Sequence, residues 1–149
     1  KNIHFFNNIR IYIMCKIILN RLDYARIKKC IRDAQQFNSI SNHEAESLFQ
    51  ELESAEILEP EEIPSNVVTM NSIVRMSFIN SKKHVQFQIV YPNKANFKDN
   101  KTSIFSPIAT ALIGYKVGDE IEWIIPAGIT RIRIDEIIYQ PEAAGHYNL

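Results

Sequence analysis

The chain has 149 residues, enough for one ordinary domain and a small additional segment, because domains usually contain about 100 to 150 residues. It contains 17 Lys plus Arg and 17 Asp plus Glu, so the formal net charge at pH 7 is zero. A balanced charge gives no overall attraction to the nucleic-acid backbone, so direct DNA or RNA binding is disfavoured.

The first residues are apolar, but the pattern does not predict a membrane span. Polar and charged residues such as Arg10 and Lys16 interrupt it, and no uninterrupted run approaches the roughly 20 residues that a transmembrane helix needs. Met14 opens a segment typical of a protein start, with a strand-like KIIL leading into a helix. We therefore interpret residues 1–16 as a leader, in which 1–13 lie upstream of the native start.

The two cysteines indicate a reducing environment. Cys15 and Cys30 have no metal-ligand spacing, and two cysteines in a chain of this size do not form a disulfide framework. We expect a reduced, cytoplasmic protein.

Two amphipathic helices are predicted next. The first covers residues 22–37 with Asp23 as candidate N-cap, and the second begins at an S-x-x-E capping box made by Ser41 and Glu44. Because about four residues join two helices of similar length, we expect an antiparallel hairpin. In each helix apolar residues recur at spacings of 3, 4 and 3, namely Tyr24, Ile27, Ile31 and Ala34, then Ala45, Leu48, Leu52 and Ala55.

The two helices differ in charge. Residues 21–33 contain five basic and two acidic residues, whereas residues 44–62 contain eight glutamates and no Lys or Arg. Facing flanks can therefore form ion pairs. Each exposed pair contributes less than about 1 kcal/mol, so these pairs set register more than they stabilise the fold.

The pattern changes to strands after Pro60 and Pro64, which do not continue a helix easily. Residues 66–70, 72–79 and 85–91 are rich in β-branched or alternating apolar residues, as expected for strands. In the last of these, Val85, Phe87 and Ile89 are predicted to share one face. A turn at 79–84 and a polar loop at 92–101 separate the strands.

A short helix follows the polar loop. Ser106 is the predicted N-cap, Pro107 occupies the first helical position, and Gly114 ends the helix in a left-handed conformation. Gly118 with Asp119 then predicts a turn. Further strands are predicted at 120–125 and 130–139, joined by a turn at 127–129, so the second half is a mostly antiparallel sheet with one short helix.

No motif for catalysis or metal binding emerges from this pattern. The glycines match no phosphate-binding motif, and the histidines His4, His43, His84 and His146 neither converge on a nucleophile nor have zinc-ligand spacing. Folding the hairpin at its centre places Asp33 opposite Glu46, which we interpret as ion-paired or solvated and not as a magnesium site. We interpret Trp123, which alternates with Ile121 and Ile125, as a core residue. No catalytic residue, metal or cofactor is predicted.

A family resemblance adds to this interpretation. The segment SPIATALIGYKVGDEIEW at 106–123, behind a helical hairpin, resembles the C-terminal domain of the bacterial Gre transcript-cleavage factors, an FKBP-like fold behind a coiled coil. More narrowly, VVTMNS at 67–72, VYP at 90–92 and YQPEAAG at 139–145 resemble the branch formed by regulators of nucleoside diphosphate kinase.

The resemblance implies an α+β fold in two parts. Residues 17–63 would form a short coiled-coil hairpin, and residues 64–149 an FKBP-like antiparallel sheet with one short helix. It also implies a non-enzymatic regulator that binds RNA polymerase near its secondary channel, competes with Gre factors and contacts nucleic acid only through the polymerase.

The resemblance also suggests which residues bind. In Gre factors the segment that matches Ser106, Pro107 and, more weakly, Ile108 contributes to docking on the polymerase. An acidic residue often precedes this serine there, whereas the chain has Phe105.

Gre factors stimulate cleavage with acidic residues at the tip of a coiled coil about twice as long. Here each predicted helix has about 16 residues and would extend roughly 24 Å. No carboxylate is present at residues 37–41. We therefore predict no stimulation of cleavage by the hairpin tip, which comprises Asn38, Ser39, Ile40 and Ser41.

Two other functions stay open from the sequence. In the first, the chain acts directly on nucleoside diphosphate kinase, or on another protein, through the charged hairpin. Alternatively, since FKBP-like domains include prolyl isomerases, Trp123, Phe87 and Tyr91 would form an aromatic proline pocket.

Overall fold

The computed structural model describes residues 17–125 and 128–149, which form a helical hairpin followed by a five-stranded sheet that carries a short helix. The predicted α+β fold class is therefore confirmed. The proposed leader at 1–16 and the turn position Ala127 lie outside the described residues. The helices are α1 (Arg21–Gln36), α2 (Asn42–Glu53) and α3 (Pro107–Leu112), and the strands are β1 (Ile18–Asn20), β2 (Glu56–Leu58), β3 (Ile73–Phe78), β4 (Lys83–Val90), β5 (Lys101–Ser103), β6 (Glu120–Ile125) and β7 (Gly128–Tyr139).

Helix α1 begins differently from the prediction. Asn20 is the N-cap, because its backbone is extended and its Oδ1 accepts a hydrogen bond from the backbone N–H of Asp23 at 2.7 Å. The prediction of Asp23 as the cap was wrong, since this residue is already in the first helical turn. Its side chain is instead buried, and only 3% of its surface is exposed.

The predicted apolar stripes of α1 and α2 form the inside of the hairpin. Ile27 and Ile31 of α1 and Ala45 and Leu52 of α2 are all buried in one core cluster. Helix α2 begins at Asn42, and the carbonyl of Ser41 accepts from the N–H of Ala45; the side chain of Glu44 lies outside the described part of the structure.

The expected charge pairing occurs at the facing flanks of the two helices. Lys28 Nζ lies 3.7 Å from Glu53 Oε1, and the hydroxyl of Tyr24 donates to the same oxygen at 3.0 Å. Glu53 is exposed, so the pair contributes little to the free energy of unfolding. The apolar stripes therefore stabilise the hairpin more than its charges do.

A two-stranded parallel sheet closes the base of the hairpin. Strand β1 precedes α1 and pairs with β2, which follows α2, and Glu56 N–H donates to the Ile17 carbonyl at 2.8 Å. The KIIL pattern indicated β1, but β2 has only three residues and shows no alternation. The sequence therefore gave no signal for this pairing.

The main sheet has the strand order β5-β4-β3-β7-β6. All neighbours are antiparallel except β4 and β5, and the 12-residue β7 pairs with both β3 and β6. The buried residues of this sheet belong to the same core cluster as those of the hairpin. Hairpin and sheet thus share one hydrophobic core.

The predicted strand at 66–70 is wrong. Val67 and Val68 are fully buried, but their segment forms only an isolated bridge, and Val68 exchanges backbone hydrogen bonds with Gly114 and Tyr115 at 2.8 and 2.9 Å. The segment therefore pairs with the loop after α3 and not with a strand of the sheet.

Two further details of the sheet region depart from the alternation pattern. Phe87 and Ile89 are buried as predicted, but Val85 is 40% exposed because the first four residues of β4 all lie outside the core. The polar loop at 92–101 contains two short 3₁₀ turns, Pro92–Lys94 and Phe97–Asp99.

Gly114 is required where α3 ends against the base of the hairpin. Its φ is +83°, and a Cβ added there would lie 2.5 Å from the Cβ of Ile17. The adjacent N–H of Ile18 donates to the Gly114 carbonyl at 3.1 Å, so the two segments cannot move apart without losing this bond. Gly118 has a φ of +93° but no atom within 4 Å of an added Cβ.

We predict that Gly114→Ala lowers the free energy of unfolding by clearly more than Gly118→Ala. Both substitutions force a left-handed conformation that costs about 1–2 kcal/mol, but only the first adds a clash with Ile17. Urea unfolding monitored by circular dichroism measures both, and equal losses would contradict the predicted contact.

Candidate functional site

The start of α3 is held by a dense set of local hydrogen bonds. Ser106 is the N-cap, as predicted, and its hydroxyl accepts from the N–H of Ala109 at 3.4 Å, while Pro107 occupies the first helical turn. The hydroxyl of Thr110 donates to the carbonyl of Ser106 at 2.9 Å, and the Ser106 N–H donates to the carbonyl of Ser103 at 2.9 Å. The backbone of this segment is therefore preorganised.

The three predicted docking residues and Phe105 before them are all half-buried, and Phe105 and Ile108 face different grooves. Phe105 packs against the core and lines a groove on the hairpin side together with Ala34 and Phe37. Ile108 also packs against the core but lines a groove on the sheet side together with Phe97. Ser106 and Pro107 stand between them, so the segment forms a ridge.

The hairpin tip is held in a compact turn. Asn38 adopts a left-handed conformation with φ +57°, and the N–H of Ser39 donates to the carbonyl of Ala34 at 2.7 Å, which ends α1. Ser39 lines the same groove as Phe105. The structure thus brings one tip residue to the ridge, while Asn38 and Ser41 are exposed and Ile40 packs against the core.

The other candidate groups do not converge. His84 lies 3.6 Å from Asp135, whereas His146 accepts or donates a 2.7 Å hydrogen bond with Tyr139. Asp33 forms an exposed pair with a lysine of its own helix. Within residues 17–125 and 128–149, no group of three or more His, Cys, Asp or Glu side chains could hold a metal ion.

The aromatic residues considered for a proline pocket are also separated. Phe87 is buried and lines the groove on the sheet side, whereas Tyr91 lines the groove on the hairpin side. The side chain of Trp123 lies outside the described part of the structure.

A buried polar cluster, which the sequence interpretation missed, connects the hairpin to the sheet. Asn20 is at its centre: its Oδ1 caps α1, and its Nδ2 donates both to Asp23 Oδ2 at 3.2 Å and to Glu142 Oε2. Asn20, Asp23 and Glu142 are all buried. A single amide therefore bridges two carboxylates from opposite ends of the chain. The cluster comprises Asn20, Asp23, Thr69, Tyr91 and Glu142.

The remaining hydrogen bonds of the buried polar cluster come from the sheet domain. The Thr69 hydroxyl donates to Glu142 Oε1 at 2.8 Å, and the hydroxyl of Tyr91 donates to Asp23 Oδ1 at 3.1 Å. The N–H of Met70 donates to Asp23 Oδ2 at 3.1 Å. Each of the segments 67–72, 90–92 and 139–145, on which the narrower family resemblance rests, thus contributes to one buried network.

The electrostatics of the buried polar cluster follow from burial. Burial raises the pKa of Asp23 to about 7, and the neighbouring Glu142 carboxylate adds to the increase, while the Met70 N–H and the Tyr91 hydroxyl oppose it. Burial and the Asp23 carboxylate likewise raise the pKa of Tyr91. Asp23 is therefore close to half-protonated at neutral pH, and this lessens the repulsion between the two carboxylates.

The sequence did contain a signal for this cluster. Asp23 lies four residues before Ile27 and eight before Ile31, so it belongs to the buried stripe of α1. An acidic residue in that stripe needs buried hydrogen-bond donors. The sequence does not show where those donors are, because the Met70 N–H and the Tyr91 hydroxyl come from residues 47 and 68 positions away.

Comparisons with known proteins agree with the geometry. The family described as "Transcription elongation factor, GreA/GreB, C-term" matches residues 63–139, slightly more than half of the chain. This chain belongs to the GreA/GreB family. Within this family the chain is 38% identical over 134 residues to the regulator of nucleoside diphosphate kinase of Escherichia coli strain K12, covering 89% of the chain and 96% of that protein.

The transcription elongation factors of the family align with different fractions of this chain. The GreA factor of Psychrobacter sp. strain PRwf-1 is 36% identical over 90 residues, which cover 60% of this chain and 57% of that protein. A solved prokaryotic GreA/GreB factor from Nitrosomonas europaea superimposes with a TM-score of 0.67 at 38% identity, covering 84% of this chain and 99% of that one. These relatives carry the names of regulators and transcription factors. No described helix of this family member is long and apolar enough to cross a membrane.

We predict that the free energy of unfolding decreases as the pH is raised from about 4 to about 7. Asp23 has a pKa of about 7 in the folded chain and an ordinary value of about 3.9 in the unfolded chain, so the folded chain binds more protons in this window. The slope from one such group is at most about 1.4 kcal/mol per pH unit. Urea unfolding at several pH values measures it.

The matched variants are Asp23→Asn and Asp99→Asn. Asp23→Asn removes the buried titrating group and should flatten the pH dependence, whereas the exposed Asp99 should not affect it. A slope that persists in Asp23→Asn would assign the pH dependence to other groups.

Proposed function

We propose that this GreA/GreB family member is a non-enzymatic regulator of transcription, which binds RNA polymerase near its secondary channel and competes there with Gre factors. The proposal depends chiefly on the ridge at the start of α3. Its backbone is fixed by hydrogen bonds, its side chains remain half-exposed, and it lies inside the segment that matches the GreA/GreB C-terminal family. A preorganised surface of this kind reduces the entropy lost on binding.

The ridge supplies apolar contact area and no charge. Ser106 and Pro107 provide the helix start, and Phe105 and Ile108 flank it on the two groove sides. In this proposal Phe105 replaces the electrostatic contact of an acidic residue with a hydrophobic one. Binding should therefore be less sensitive to salt than binding through a carboxylate.

The hairpin supports a regulator that does not stimulate transcript cleavage. Helix α1 has 16 residues and α2 has 12, which correspond to about 24 and 18 Å. Residues 37–41 contain no carboxylate that could hold a catalytic metal ion. In this proposal the tip occupies the mouth of the channel without supplying metal ligands.

We predict that Pro107→Ala weakens binding to RNA polymerase by about tenfold, the effect of losing one central apolar contact. Alanine is a good helix former at this position, so α3 should remain folded. The measurement is competition with a fluorescently labelled Gre factor for polymerase. The matched control is Ile129→Ala, an exposed apolar residue on β7 far from the ridge in the sheet order. If both variants displaced the labelled Gre factor equally well, the docking surface would not include Pro107.

We also predict that acidic residues at the tip do not create cleavage activity. The double substitution Asn38→Asp with Ser39→Glu supplies two carboxylates, but α1 still extends only about 24 Å. A transcript-cleavage assay on stalled polymerase, with a Gre factor as positive control, should show the uncatalysed rate. Faster cleavage would show that the length of the hairpin does not prevent it from stimulating cleavage.

A second candidate function is direct regulation of nucleoside diphosphate kinase. It is favoured by the Escherichia coli relative of that name, which aligns over 96% of its length. The charged hairpin would be the contact surface. Co-purification of the kinase with this chain, in the absence of polymerase, separates this function from the first.

A further inference from the structure

A large groove lies on the hairpin side of the ridge and is lined by Tyr91, whose hydroxyl donates to Asp23 of the buried polar cluster. It has a volume of about 790 Å³ and lies between the outer face of α1 and the loop that follows β4. Small-molecule sites usually have volumes of about 300 to 1,000 Å³ and a mainly apolar lining with a few polar groups. This groove has both properties.

The charges of the groove favour an anion. Arg26 and Lys29 line it from α1, and Lys94 lines it from the opposite loop. Asp33 is the acidic residue among the described lining residues, and Lys29 lies 3.3 Å from it. Three cations therefore line the groove with one acidic side chain, which is paired with Lys29, and Lys94 forms no ion pair among the described residues.

Arg26 already binds an oxygen atom in this groove. Its Nη1 donates to a main-chain oxygen of Leu149, the last residue of the sequence, which also lines the groove. A guanidinium has five N–H donors in a planar fork, so several remain for a second acceptor. Arg26 also lies close enough to Asp23 and Tyr91 for its charge to lower the pKa values of both groups, against the larger effect of burial.

Aromatic side chains line the groove between these cations. Phe37 is 76% exposed at the end of α1, so its ring is accessible to a ligand in the groove. Phe105 lines the groove from the ridge, and Tyr91 lines it with its hydroxyl bonded to Asp23. Exposed rings beside cations are the combination that binds a planar ring carrying phosphate groups.

We propose that this groove binds a small phosphorylated aromatic molecule, with the chemistry of a nucleotide. Arg26, Lys29 and Lys94 hold the phosphates, and Phe37 with Phe105 contacts the ring. The site does not depend on polymerase binding, although Phe105 belongs to both surfaces. Ligand binding would therefore bring a metabolite directly beside the docking ridge.

The test is calorimetric titration of the full chain with three probes: adenosine 5′-diphosphate, inorganic pyrophosphate and adenosine. The diphosphate should bind more tightly than either of its two parts, and its affinity should fall as salt is raised. Arg26→Gln and Lys94→Gln should each weaken it by about tenfold, the loss expected for one charge-assisted hydrogen bond. Phe37→Ala should weaken the binding of adenosine 5′-diphosphate but not the binding of pyrophosphate.

Matched controls use cations outside the groove. Arg75→Gln, which removes an exposed pair with Glu136, and Lys98→Gln should leave the affinity unchanged. Circular dichroism checks that each variant is folded, and because Lys94 lies on an exposed loop, its variant tests the site even where Arg26→Gln does not fold. Absence of binding at about 5 mM diphosphate, an equal loss in control and groove variants, or pyrophosphate binding as tight as that of the diphosphate would overturn the proposal.

Discussion

The structure depends on one buried amide. Asn20 caps α1 with its oxygen and bridges the carboxylates of Asp23 and Glu142 with its nitrogen. Two carboxylates in one buried site repel each other and lose their hydration, so they are tolerated only with several donors and with a raised pKa. Thr69, Tyr91 and the backbone of Met70 supply those donors. A buried network of this kind fixes one arrangement of the segments that meet in it.

This arrangement determines how the hairpin stands on the sheet. The buried polar cluster joins the start of α1 to residues near both ends of the sheet region, and Gly114 lets the loop after α3 approach the base of the hairpin. The apolar stripes of α1 and α2 then continue the hydrophobic core of the sheet. Because hairpin and sheet share a core, the ridge at α3 and the hairpin tip lie beside one groove, which Phe105 and Ser39 both line.

The side chains of the ridge and its two grooves offer apolar and cationic contacts to a partner. Where carboxylates are most concentrated, in and after α2, they are spread along the chain and do not converge in the described residues. Asp23 and Tyr91, the two groups whose pKa values are shifted most, bind each other in the buried polar cluster and hold the fold together. Under the proposed function, the short hairpin of this GreA/GreB family member would occupy a site on its partner without carrying out a reaction.

The sequence by itself determined the elements whose signals are local. Periodicity placed the two helices and the buried residues Ile27, Ile31 and Leu52, and Ser106 with Pro107 marked the start of α3 because capping involves residues only three apart. Only the tertiary structure decided the pairing of β1 with β2, the loss of the strand expected at 66–70, and the convergence of Asn20, Asp23 and Glu142. These depend on partners up to 122 positions apart, and no periodicity or spacing in a single sequence records which distant groups will be buried together.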